Sequence, residues 1–219
     1  MFNLSPEQFL VRATVVAVML LIAFPIHEFS HALAAYRLGD GTARLLGRLT
    51  LDPRAHFDAT GGLLLAISFL FTGFGFGWAK PTPYNPMNLQ GGRWGEAIVA
   101  AAGPISNLVL AIAASIPLRY IDAVGMNVPA LSDFLDFFVQ INLILMVFNL
   151  LPIPPLDGSK VLFAFLNPRT AWQVRPVLEQ YGLVILLGAM LLPIFRGETL
   201  IGLLFDIFLS PLGHLLTGR

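Results

Sequence analysis

Long apolar runs limit what this chain can fold into more than any other feature of its sequence. A helix needs about 20 mostly apolar residues to cross a bilayer. Five stretches reach or approach that length, namely residues 13–36, 97–118, 134–151, 177–195 and 199–216. Only 12% of the residues are charged, which is about half of what a soluble domain carries. The sequence therefore predicts an all-α, polytopic membrane protein with about five transmembrane helices in a single domain, residues 1–219.

A further apolar stretch, residues 61–77, is shorter and contains five glycines. Basic residues follow both the 13–36 run and the 134–151 run, so the positive-inside rule places both of these helix ends in the cytoplasm. The two placements agree only if 61–77 enters the membrane and returns, whereas a full crossing is the alternative. We expect a re-entrant segment that returns in an extended or hairpin form through the proline-rich residues 78–86. Such backbone is tolerated at membrane depth only against protein or a water-filled cavity.

The first apolar run contains an H-E-x-x-H motif, His27-Glu28-Phe29-Ser30-His31. Histidines at i and i+4 lie on one face of a helix, so both imidazoles can reach one metal ion. Imidazole suits zinc, and a catalytic zinc site keeps one position open for water. We therefore predict a zinc site with His27 and His31 as ligands and Glu28 as the general base. Chance occurrence on a solvated helix is the alternative, but ionisable groups inside an apolar run favour a functional role.

Two histidines leave the site incomplete, and Asp157 is the best candidate for a third ligand. It follows a proline-rich stretch that breaks the 134–151 helix, although it could instead cap the next helix. Asn107 lies at a similar depth and is predicted to hydrogen-bond a substrate carbonyl or an oxyanion. The alternative for Asn107 is a buried amide in helix packing. Asn149, which begins the element that contains Asp157, is a second candidate for substrate binding.

Three elements occur in a fixed order: His27-Glu-Phe-Ser-His31, Gly103-Pro-Ile-Ser-Asn107, and Asn149-Leu-Leu-Pro-Ile-Pro-Pro-Leu-Asp157-Gly158. On these elements the chain resembles the site-2 protease family of intramembrane zinc metalloproteases. The resemblance implies the ligands His27, His31 and Asp157, with Glu28 as base, in a catalytic core of about residues 9–166. The C-terminal helices, residues 177–216, add little to it. Without room for a PDZ domain or CBS domains, the chain resembles a minimal, prokaryotic member.

The predicted function is hydrolysis of peptide bonds in or near the transmembrane segments of other membrane proteins, that is, regulated intramembrane proteolysis. The enzyme would sit in the cell membrane with its active site towards the cytoplasm. The alternatives are a membrane protease that cuts non-membrane peptides and a zinc transporter that uses the histidines as a transit site. A net charge of zero gives no reason to expect nucleic-acid binding. The sequence identifies neither the substrates nor the oligomeric state.

Overall fold

The computed structural model describes residues 6–72, 77, 79–195 and 197–219, which are mostly helical. The α-helices in these residues are α1 (Pro6–Val18), α2 (Phe24–Arg37), α3 (Thr42–Leu45), α4 (Pro53–His56), α5 (Ala59–Thr72), α6 (Arg93–Ala123), α7 (Pro129–Asn149), α8 (Asp157–Phe165), α9 (Pro168–Leu191) and α10 (Leu200–Thr217). A π-helical turn, Met19–Ala23, joins α1 to α2, and a 3-10 turn covers Pro86–Asn88. Two short strands, β1 (Pro193–Phe195) and β2 (Glu198–Thr199), form an antiparallel hairpin.

Among the described residues, five helical segments are long and apolar enough to cross a membrane, as the sequence predicts. They are Phe9–Arg37, Arg93–Ala123, Pro129–Asn149, Pro168–Leu191 and Leu200–Thr217. The chain is therefore a multi-pass membrane protein. Several of these helices extend beyond the predicted runs because polar end residues continue the helical hydrogen-bonding outside the apolar region.

The first span changes its helical register just before the predicted metal ligands. Pro25 has no N–H, so it cannot bond to the carbonyl one turn earlier, and the π-helical turn ends two residues before it. A π turn inserts one residue into an α-helix and rotates the face that follows. The direction in which α2 presents its histidines is therefore set partly by this turn.

Helix α6 lies at the centre of the fold and packs against α2, α7 and α8. Small residues on α6, Ala111 and Ala114, allow Val139 and Leu143 of α7 to pack closely in a buried cluster. Small residues at a helix interface let two backbones approach within a membrane, where packing rather than water exclusion drives association. Helix α6, which also contacts α2 and α8, is therefore fixed by close packing against α7.

Helix α5 and the chain from residue 79 onward meet at the same end of the re-entrant region. Helix α5 has 14 residues, so it is about 21 Å long, which is too short for a hydrocarbon core of about 30 Å. After it, the Lys80 N–H donates to the His56 carbonyl at 2.9 Å, and His56 lies just before α5. Entry and exit of the segment are thus side by side, as the re-entrant prediction requires. Residues 73–76 of the predicted re-entrant stretch and Trp78 of its predicted return lie outside the described residues.

Asp40, in the turn after α2, fixes the far end of the return segment. Its buried carboxylate accepts from the Asn85 N–H at 3.0 Å, from Asn88 Nδ2 at 2.9 Å and from Thr42 Oγ1 at 2.7 Å. Burial alone would raise the pKa of Asp40, but the hydrogen bonds outweigh it and hold that pKa below its usual value. The ionised carboxylate therefore anchors the return segment to the end of α2.

Helix α10 runs in the same direction as α6, whereas the end of α9 packs against the start of α10, where Leu186 and Ala189 cluster with Ile201. Near the start of α9, the Arg93 guanidinium of α6 donates to the Leu166 carbonyl at 2.8 Å. At the end of α10, Arg219 forms an ion pair with Asp122, which is near the end of α6, at 2.7 Å. The β1–β2 hairpin joins the neighbouring ends of α9 and α10. Strict alternation of five crossings would instead have placed the C-terminus at the Arg93 end.

Candidate metal and active site

Three side-chain atoms from distant parts of the sequence converge at one point. His27 Nε2 and His31 Nε2 are 3.0 Å apart, and Asp157 Oδ2 lies 3.3 Å from the first and 3.2 Å from the second. All three side chains are buried. A tetrahedral zinc ion with bonds of about 2.0–2.1 Å separates its ligand atoms by about 3.3 Å. The donor set and its spacing therefore fit one shared zinc ion with a fourth position left for another ligand.

The proline-rich loop after α7 brings Asp157 to the histidines. Asp157 is the first helical residue of α8, and the preceding Leu156 occupies the N-cap position. Asp157 is therefore not the capping residue of this helix, which was the alternative considered from the sequence. A Cβ on Gly158 would lie 2.5 Å from the Leu151 carbonyl oxygen. The glycine therefore allows α8 to begin directly against the end of α7, with the Asp157 carboxylate turned inwards.

The absence of a side chain at Gly103 of α6 leaves the space in which the two imidazoles converge. A Cβ at this position would lie 2.6 Å from His27 Nε2 and would also collide with His31 Nε2. Any side chain larger than hydrogen would therefore occupy the space where the two imidazoles converge. Sequence reasoning considered Gly103 only for helix packing, because the face of α6 that meets α2 is not evident from a single apolar run.

Both histidines bind an acceptor through the ring nitrogen that faces away from the site. His27 Nδ1 lies 2.6 Å from Asn107 Oδ1, and His31 Nδ1 lies 2.7 Å from the Val99 carbonyl oxygen. Each Nδ1 therefore carries the proton, which leaves the lone pair of each Nε2 directed at the metal position. This is the usual arrangement for metal-binding histidines.

Asn107 lies beside His27, at the depth expected from the sequence, and its side chain is engaged within the protein. Its side chain is fully buried, its oxygen accepts from His27, and its nitrogen donates to Asn142 Oδ1 at 3.0 Å. These contacts match the alternative of a buried amide, while the substrate-binding role of Asn107 stays a prediction. Asn149 donates through Nδ2 to the Leu145 carbonyl one turn earlier in α7 at 2.9 Å, and its substrate-binding role stays a prediction.

The carboxylate of Glu28 lies beside the metal position and is held by the return segment. Its Oε2 accepts from the Thr82 N–H at 2.8 Å, and its backbone carbonyl accepts from Thr82 Oγ1 at 2.9 Å. Ligand atoms of His27, Glu28 and His31 all lie within 4.8 Å of one another, but the Asp157 oxygen is closer to both imidazoles. The geometry therefore favours Asp157 as the third ligand and Glu28 as the base. Sequence reasoning missed Thr82, although it is the one N–H donor between Pro81 and Pro83.

Lys160 engages the other oxygen of Asp157. Its ammonium group lies 3.7 Å from Asp157 Oδ1 and 5.4 Å from the centre of the Tyr84 ring. Tyr84 belongs to the return segment, so Lys160 joins that segment to the proposed third ligand. Because Oδ1 is engaged in this way, Asp157 presents Oδ2 alone to the histidines.

Comparison with known proteins gives one family model and several relatives. The model described as "Peptidase family M50" matches residues 116–192. The chain is 37% identical over 182 residues to "Putative zinc metalloprotease YwhC" of Bacillus subtilis, covering 81% of this chain and 80% of that protein. It is 35% identical over 201 residues to "Putative zinc metalloprotease Rip2" of Mycobacterium tuberculosis, covering 90% of this chain and 74% of that protein. No solved structure matches the chain significantly.

Proposed function

The chain belongs to the M50, or site-2 protease, family of membrane zinc metalloproteases, and from this premise we propose that it cuts the transmembrane segments of other membrane proteins. The depth of the metal site carries the proposal. His27 precedes Arg37, the last residue of α2, by ten positions, so it lies about 15 Å inside the first span. A site at this depth is suited to a substrate that is itself in the membrane. Membership of a peptidase family also sets aside the transporter alternative.

Within the site, we assign the roles by contact. His27, His31 and Asp157 would hold zinc, which when bound polarises a carbonyl and lowers the pKa of water towards about 7. Glu28 takes a proton from the attacking water and passes it to the leaving amine. Thr82 holds one carboxylate oxygen of Glu28 and leaves the other to receive this proton.

A helical substrate must unwind before it can be cut, because its carbonyls are engaged in intrahelical hydrogen bonds. The unwound backbone then exposes groups that lipid cannot satisfy, at a cost of several kcal/mol per group. Some extended backbone in the protease must therefore pair with it, as in strand addition to a sheet edge. We propose that the return segment, residues 79–85, performs this role.

The return segment has some backbone donors in use and others available. The N–H groups of Lys80, Thr82 and Asn85 are bonded within the protein, whereas those of Ala79 and Tyr84 have no partner among the described residues. Prolines at positions 81 and 83 have no N–H at all. Pairing with a substrate would therefore use these two donors together with the carbonyls, which is typical of an edge strand that contains proline.

The orientation follows from the basic residues at one end of the molecule. Arg44 and Arg54 lie in the connection between α2 and α5, while Arg169 lies at the start of α9. The positive-inside rule places these residues in the cytoplasm. We therefore propose that water reaches the site from the cytoplasmic side, through the region enclosed by the re-entrant segment.

Cleavage of paired substrates tests the proposed function. A single-span membrane protein and the same protein without its transmembrane segment are each co-expressed with the wild type or with Glu28→Gln. We expect the wild type to cut only the membrane-spanning form, and Glu28→Gln to cut neither. Equal cleavage of both forms by the wild type would contradict the proposal and favour a protease for non-membrane peptides.

A further inference from the structure

A histidine can bind a metal through Nε2 only if the proton of its neutral ring is on Nδ1. The two neutral tautomers are close in intrinsic stability, so the partner of Nδ1 decides between them. For His31 the partner fixes the tautomer directly, because the Val99 backbone carbonyl, 2.7 Å from Nδ1, can only accept a hydrogen bond. His27 faces an asparagine amide instead, which offers an acceptor at one end and a donor at the other.

A chain of hydrogen bonds across three helices resolves this ambiguity. Asn142 Nδ2 donates to the Phe138 backbone carbonyl at 2.8 Å within α7. Asn107 Nδ2 of α6 donates to Asn142 Oδ1 at 3.0 Å. His27 Nδ1 of α2 lies 2.6 Å from Asn107 Oδ1. Both asparagines are 0% exposed, so water cannot substitute for any partner in the chain.

The direction of every bond follows from the far end, because the Phe138 carbonyl can only accept. Asn142 must therefore turn its nitrogen towards Phe138 and its oxygen towards Asn107. Asn107 must then turn its nitrogen towards Asn142 and its oxygen towards His27. An oxygen can only accept, so the proton of His27 is kept on Nδ1 and its Nε2 lone pair faces His31 and Asp157.

We propose that Asn142 is a positioning residue that, acting through Asn107, selects the metal-binding tautomer of His27. The inference rests on the metal site of the proposed function. Without the Asn142 oxygen, the Asn107 amide is free to rotate by 180° and present its N–H groups to His27. His27 would then accept at Nδ1 and carry its proton on Nε2, where it blocks the metal. His31 would be unaffected, because its own acceptor is a backbone carbonyl.

The first test measures zinc affinity of the purified zinc-free chain by competition with a chelator. Asn142→Leu should weaken zinc binding by about 10- to 100-fold, the usual effect of removing an outer partner of a metal ligand. Asn149→Leu is the matched control, since Asn149 makes the same bond to a carbonyl one turn earlier in α7 without a contact to Asn107. Equal affinities for Asn142→Leu and Asn149→Leu would overturn the inference.

A suppressor separates this mechanism from a loss of packing. In Asn142→Leu combined with Asn107→Asp, the carboxylate has no N–H to present to His27, so it should restore zinc affinity to within a few-fold of the wild type. A double variant as weak as Asn142→Leu would contradict tautomer selection. A further test needs no variant, because nitrogen NMR shifts report which ring nitrogen of a histidine carries the proton. In the zinc-free wild type they should place the His27 proton on Nδ1. A proton on Nε2 would also overturn the inference. Failure of the proposed function would look different, with normal zinc affinities but no cleavage of membrane substrates.

Discussion

The backbone N–H of Thr82 donates to Glu28 Oε2 at 2.8 Å across 54 positions of sequence. This bond links the return of the re-entrant segment to the carboxylate that we assign as the general base. The Thr82 hydroxyl donates to the Glu28 carbonyl at 2.9 Å, so one residue fixes both the side chain and the backbone of Glu28. A segment proposed to hold the substrate is therefore also the one that orients the base.

Replacement of Thr82 by proline should impair catalysis without loss of zinc. Thr82→Pro removes the N–H and frees Glu28 to rotate, so we expect kcat to fall by about 10-fold or more, part of the ~10²–10⁴ that a positioned acid or base supplies. Thr82→Val keeps the N–H and loses only the hydroxyl, so its effect should be smaller. Zinc content and cleavage rates of both purified variants check this, and a larger loss for Thr82→Val would reject the assigned contact.

Metal analysis distinguishes the ligands from the base. We expect one zinc ion per chain in the wild type and in Glu28→Gln, because Glu28 moves a proton and does not bind the metal. His27→Ala and His31→Ala should each lose the zinc. Glu28→Gln should nevertheless be inactive. If it lost as much zinc as His31→Ala, Glu28 would have to be a ligand.

Asp157→Ala should weaken zinc binding beyond the 10- to 100-fold that outer partners contribute, because it removes one of three ligand atoms. Asp133→Ala, an exposed carboxylate near the start of α7, is the control and should bind zinc normally. Chelator competition on both variants gives the comparison. Full zinc affinity in Asp157→Ala would rule out the proposed third ligand despite its 3.2 Å distance from His31 Nε2.

A single methyl group on Gly103 should be enough to displace the metal. Gly103→Ala places a carbon about where the two imidazoles meet, and overpacking of this kind also costs about 1–3 kcal/mol of stability. Gly213→Ala is the control, because a Cβ there has no atom within 4 Å. We expect zinc loss and a lower melting temperature only in Gly103→Ala. Normal zinc content in that variant would mean that α6 is farther from α2 than the structure places it.

Features encoded within one short stretch could be predicted from the sequence. The spans follow from the lengths of the apolar runs, and the shared face of His27 and His31 follows from their spacing. The approach of Lys80 to His56 was predictable because charge fixes which helix ends share a side of the membrane. These arguments need no knowledge of which helices touch.

Features that depend on which helix faces meet could not be predicted. Asn107 was expected to hold substrate, yet its partners are His27 and Asn142, which lie 80 and 35 positions away. The rotation of each helix about its own axis decides such contacts, and an almost uniformly apolar run leaves this rotation undetermined. Hydropathy likewise identifies α10 as a span, but it does not indicate that α10 runs in the same direction as α6.

The direction of α10 gives a prediction about the position of the C-terminus. The chain has no cysteine, so a single introduced cysteine can be labelled without background. Arg54→Cys, Arg93→Cys and Arg169→Cys should react with an impermeant reagent from the cytoplasmic side, because these residues lie at the basic end of the molecule. Arg219→Cys should react from the opposite side, since Arg219 pairs with Asp122 near the far end of α6. Labelling of Arg219→Cys from the cytoplasm would instead require α10 to run antiparallel to α6, as in a chain with five simple crossings. Labelling of Arg93→Cys from outside would make 61–77 a full span.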